Sequence, residues 1–123
     1  MNIKEQVTSL ELSKKLKQLG IKQESYFYWV ELQGYPCFYR GDELEYKGEK
    51  TYSAFTVAEL GELFKQISII VSGYNVRMKK NYCRYLSYNI VKAVFLEDTE
   101  ANARGKMLIY LIEHNLIDTH AKH

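Results

Sequence analysis

The strongest constraint on this chain is a change of hydrophobic period within its first third. SLELSKKLKQLG, residues 9–20, places Leu10, Leu12, Leu16 and Leu19 on roughly one helical face. Ser9 precedes that face and can accept an orphan amide hydrogen bond, and Gly20 sits where a left-handed C-cap belongs. SYFYWVEL, residues 25–32, then turns aromatic and β-branched, the composition of a strand. The pattern predicts a helix running into a hairpin, so helix and strand must share one small core.

The rest of the chain extends that pattern. Gln33-Gly34 reads as a turn and YPCFYR, residues 35–40, as the returning strand. Pro36 cannot donate to a ladder and so marks an edge. GDELEYKGEKTY, residues 41–52, reads as a polar loop with a short strand near Leu44 to Tyr46. TVAELGELFKQ, residues 56–66, is a second helix opened by a Thr56/Glu59 capping box. Its buried stripe is Val57, Leu60, Leu63, Phe64 and Ile67, and Gly61 weakens it by about 1 kcal/mol relative to alanine. Strands follow at residues 68–73, 76–81 and 83–95 as a meander. Residues 96–115 form a third helix, with Glu97, Asp98 and Glu100 at the end where negative charge suits the dipole. Its stripe is Ala103, Met107, Leu108, Leu111 and Ile112. The expected fold is α+β: an antiparallel sheet of four or five strands packed by two or three helices. At 123 residues it is a single domain, residues 1–123, with a flexible tail over 117–123.

Charge is distributed unevenly. The net charge is only +2, yet residues 65–96 hold six Lys/Arg and no acid, against −2 (eight basic, ten acidic) for residues 1–64. Such an asymmetry points to an anionic partner. Eleven tyrosines fit half-buried sheets and interfaces, because the ring is apolar and its tip hydrogen-bonds. Cys37 and Cys83 form no metal-binding or disulfide pattern. MNIKEQVTSL lacks an apolar signal segment and no apolar run spans a bilayer. We expect a cytoplasmic, reduced protein with no membrane partner.

Candidate functional residues come from two segments. In the hairpin, Tyr26, Tyr28, Val30 and Leu32 alternate with Phe27 and Trp29, so both faces are apolar. Helices cover one side of so small a sheet. The other side needs a loop, such as residues 41–52 folding back over Trp29, or a partner. Phe27 and Trp29 are therefore candidate anchors, with Arg77, Lys79 and Arg84 as a basic rim. GYNVRMKKNYCRYLSYN, residues 73–89, interleaves cations with tyrosines, which opens a second reading: nucleic-acid binding through residues 77–92. Strand alternation would put Arg77 and Lys79 on one face and Val76, Met78 and Lys80 on the other. Charged residues also protect a sheet edge. Residues 10–30 imitate a helix-turn-helix, but Leu16 stands where that motif needs a small residue and YFYWV is strand-like.

Nothing marks an enzyme. There is no G-x-S-x-G, no glycine-rich phosphate loop and no nucleophile–base pair. His114, His120 and His123 lack zinc spacing. The expectation is no cofactor, no metal and no small-molecule substrate. The chain would bind a protein partner or associate with itself, with nucleic acid as the alternative.

Three stretches carry a family resemblance: EQVTSLELSKKLKQLGIKQESYFYWVEL, AFTVAELGELF and TEANARGKMLIYLIEHNLI. They resemble small uncharacterised proteins encoded by bacteriophages and prophages, which share T-V-A-E-L-G-E and A-x-A-R-x-K-M-L-I-Y-L-[IL]-E helices. Gly105 departs from the alanine of that last helix, and residues 67–96 match no pattern of the group. The resemblance implies a phage accessory protein and brings no activity. It also implies that the familiar segments are scaffold and that specific function belongs to the strands between them.

Overall fold

A computed structural model of the chain describes residues 2–45, 47–64 and 69–117. After a 3-10 turn at Ile3–Gln6, helix α1 spans Leu10–Gln18. Strands β1 (Phe27–Leu32), β2 (Tyr35–Arg40) and β3 (Thr51–Ala54) follow, then helix α2 (Val57–Leu63). Strands β4 (Ile70–Asn75), β5 (Lys80–Ser87) and β6 (Ile90–Glu97) lead into helix α3 (Glu100–Glu113). The class is α+β as expected, but the strands form two separate three-stranded antiparallel sheets, β2-β1-β3 and β4-β5-β6, rather than one sheet of four or five.

Local chemistry sets most element ends. Ser9 accepts from Leu12 N–H at the start of α1, and Gly20 adopts φ 94° beyond its end. Thr56 and Glu59 close the capping box of α2. Gln33 and Gly34 both have positive φ, the geometry of a two-residue turn whose twist matches the strands it joins. Pro36 does lie on an edge, since among the described residues β2 pairs only with β1.

Four expectations are corrected. Residues 76–79 form the β4–β5 turn, with Lys79 at φ 56°, so the strand expected over 76–81 begins only at Lys80. Residues 83–95 divide into two strands at a Tyr88-Asn89 turn, where both residues are left-handed. The loop after β2 contains a strand at Thr51–Ala54 and none at Leu44 or Glu45; Tyr46 lies outside the described residues. Glu97 ends β6, and α3 begins at Glu100 with Thr99 as its cap. Ile67, Ser68, His120 and His123 also lie outside the described residues.

The core lies along α3. Ala103, Met107, Leu108 and Leu111 are fully buried, together with Leu16 of α1 and Leu60 of α2. Helix α3 packs on the second sheet and against both other helices, while α1 packs on β3 of the first sheet. Gly105 sits at the α1–α3 contact, where an added Cβ would lie 3.0 Å from Thr8 Cγ2. That close approach leaves little room for a side chain at position 105. No helix among the described residues is long and apolar enough to cross a membrane.

Cys83 lies in this core, and burial pushes its thiol above the usual range despite the Ser72 hydroxyl beside it. A thiol raised in the folded state contributes stability that is complete below its unfolded pKa of about 8.5 and is lost as pH rises through the folded value. Cys83→Ala should therefore flatten the fall of the urea midpoint above about pH 8.5. In the native protein Ellman's reagent should label Cys37 quickly and Cys83 only on unfolding. Equal labelling rates would contradict this placement.

Candidate functional site

The expected hairpin anchors are engaged within the chain. Phe27 stacks on Phe38 at 5.4 Å, and Trp29 packs against the same ring at 5.0 Å. Trp29 Nε1 donates to the Thr8 carbonyl at 2.9 Å, so the indole is held by the segment entering α1. Helix α1 continues over this face: Lys14 pairs with Glu31 at 2.9 Å, and the Lys14 and Lys17 ammoniums stand over Tyr52.

The opposite face of the first sheet carries Tyr28, which is buried beneath the loop after β2. Lys47 Nζ stands 4.8 Å above the Tyr28 ring, and Gly41 lies against its edge. The expected fold-back of that loop occurs, but over Tyr28 rather than Trp29, because alternation points the two to opposite faces. An open groove of about 600 Å³ lies there, lined by Tyr26, Tyr28, Arg40 and Lys47 among others. Burial raises the Tyr28 phenol, but the Lys47 ammonium and the Ser25 backbone and hydroxyl together hold it below its ordinary value. Arg40 in this groove already faces Asp42 and Glu43.

The second sheet is different. Ile70, Cys83, Tyr85, Ala93 and Phe95 point towards α3 and join the core. The alternate residues form the other face, on which no helix packs among the described residues. The register sets them in rows. Val71, Arg84 and Val94 stand abreast in the middle. Gly73, Tyr82 and Leu96 form one flanking row; Leu86 pairs with Val91 in the other, and its N–H reaches the Ile69 carbonyl. Val91 and Val94 are each 45% exposed and Leu96 38%. These are edge-strand aliphatics on a face left to solvent.

Arg84 is the only charged residue in those rows. Its guanidinium carbon lies 4.8 Å from the centre of the Tyr82 ring. That ring occupies the space a side chain at position 73 would need: an added Cβ there would lie 2.4 Å from Tyr82 Oη. Arg84 Nε is buried without a hydrogen-bond partner, and among the described residues no carboxylate lies within ion-pair distance of Arg84. Arg77 and Lys79 stand exposed in the β4–β5 turn, and Lys92 is exposed at the register shift between β5 and β6. None of the three has a carboxylate partner among the described residues, whereas Lys80 pairs with Asp98.

The structure thus separates the five expected site residues. Phe27 and Trp29 belong to the first sheet's self-covered face, while Arg84 is central to the open face of the second and Arg77 and Lys79 lie in its β4–β5 turn. Sequence reasoning missed Val94 and Leu96. The signal was present in the alternation of IVKAVFLE, whose two parities are both apolar although a three-stranded sheet can show α3 only one of them. Among the described residues no three His, Cys, Asp or Glu side chains cluster to hold a metal ion. No protein-family model, no curated protein and no solved structure matches this chain.

Proposed function

We propose that this chain is a non-enzymatic accessory protein of the phage or prophage type, acting in the host cytoplasm by docking a protein partner on the open face of its second sheet. The observation that carries this reading is the aliphatic patch of Val91, Val94 and Leu96, exposed on the side of the sheet away from α3. Contiguous exposed apolar surface on a folded domain marks interaction sites. Tyr88 adds to it. It is 95% exposed with φ 54°, a left-handed conformation that disfavours tyrosine and suits asparagine or glycine. A fully exposed aromatic kept at a strained turn has no role in the packing of this domain. Of the helices that carry the phage resemblance, α3 packs beneath this sheet as scaffold, which leaves the opposite strand face for function.

Val94→Asp tests the reading, because an exposed position tolerates the charge while an apolar interface does not. Affinity capture from a bacterial extract should retain a protein with the wild type that Val94→Asp loses, at a Tm within about 2 °C of wild type. Retention of the same proteins by both would remove the proposal. Tyr88→Asn should raise stability by about 1 kcal/mol through relief of the turn while weakening the same capture. A second reading, nucleic-acid binding through residues 77–92, draws on the cations Arg77, Lys79, Arg84 and Lys92, which have no carboxylate partner among the described residues. It requires an affinity that falls steeply with salt as counterions are released.

A further inference from the structure

We infer that the partner docked on this face presents a carboxylate to Arg84 from within an apolar segment: an acidic–aliphatic protein surface, neither nucleic acid nor a second copy of this chain. The inference rests on the reading of the open face as a protein-docking surface and adds what that surface selects.

The argument starts from the position of Arg84. It stands in the middle of the middle row, between Val71 and Val94. The guanidinium stands over the Tyr82 ring, and the ring is seated where Gly73 leaves room. A positive charge among aliphatics is costly once a partner removes its water, unless an acceptor arrives with that partner. Among the described residues no carboxylate pairs with it: residues 69–96 contain no Asp or Glu, and Nε already lacks an acceptor. A planar guanidinium held on a ring is preorganised for the two parallel hydrogen bonds of a carboxylate. Arg77, Lys79 and Lys92 extend the same sign to the surrounding surface, which favours encounter with an acidic partner.

The rival occupants fit less well. A symmetric dimer through this face uses the same patch on both copies, so its two centres, both Arg84, approach each other with like charge. Single-stranded nucleic acid needs several aromatic faces for stacking, but Tyr82 is the only aromatic in the three rows, which otherwise hold Arg84, Gly73 and aliphatic residues.

Panning a random displayed peptide library against the folded protein tests this directly. Wild type should enrich peptides with Asp or Glu flanked by Leu, Ile, Val or Phe. Arg84→Glu should enrich Lys or Arg at the same place and bind the wild-type peptides at least about tenfold more weakly. Arg84→Met, which retains an unbranched apolar chain beside Tyr82, guards against a folding artefact and should lose the acidic preference without gaining a basic one. Amide chemical shifts should move in β4, β5 and β6 on adding a synthetic copy of the enriched peptide. Enriched apolar peptides that move those shifts but carry no acid overturn the inference and leave the docking face standing. Peptides that move only other residues overturn both. An oligothymidine that competes at this face, or a dimer in light scattering that Val94→Asp dissociates, replaces the acidic partner with that occupant.

Discussion

Leu108→Ala is expected to cost about 3–5 kcal/mol of folding stability. Leu108 is fully buried midway along α3, the helix that packs on the second sheet and against both other helices. Truncation removes the transfer free energy of the side chain and leaves a cavity that three packed elements cannot all close. A domain of this size has about 5–15 kcal/mol in total, so the loss brings the fold close to its limit. Urea denaturation should show a lower midpoint with an unchanged slope. Met107→Leu, a volume-conserving change in the same layer, should cost under about 1.5 kcal/mol. Equal costs for the two would mean that this part of α3 is not tightly packed.

Thr8→Val should cost about 2–4 kcal/mol, although it preserves shape and raises hydrophobicity. Thr8 joins four parts of the chain. Its N–H donates to the Phe55 carbonyl at 2.9 Å, and its Oγ1 accepts from Phe55 N–H at 3.1 Å. The same Oγ1 meets Ser13 Oγ at 2.8 Å, and its carbonyl accepts from Trp29. Valine removes the hydroxyl and leaves the Phe55 amide buried without an acceptor. Tm should fall by roughly 10 °C. Thr8→Ser retains the oxygen, loses only the methyl group that faces Gly105, and should cost about 1 kcal/mol. If serine proves as damaging as valine, packing rather than hydrogen bonding holds this junction.

The Thr8 junction also explains why the hairpin misled. Phe27 and Trp29 have the composition of interface anchors, and alternation correctly put them on the face opposite Tyr28. Whether such a face is free depends on what folds over it. The cover for Trp29 comes from Thr8, at a separation of 21 residues, and the cover for Tyr28 from Lys47. Neither contact leaves a mark on local periodicity. The open patch was hidden for the converse reason: IVKAVFLE is apolar at both parities, and nothing within it says which parity α3 takes.

The first two helices and the body of the third, the Ser9 and Thr56 caps, the Gly20 stop, the Gln33-Gly34 turn and the edge role of Pro36 were readable in the residues. Each depends on hydrogen bonds and dihedral preferences that span only a few positions. The division of the strands into two sheets, the extra strand at Thr51–Ala54 and the turn at residues 76–79 were not. They follow from pairings such as Phe27 with Ala54 and Val71 with Arg84, in which distant backbone groups satisfy one another. The energy of such pairings depends on the whole arrangement of the chain, so the half-buried place of Arg84 and the exposure of Val94 emerge only once the chain has closed on itself.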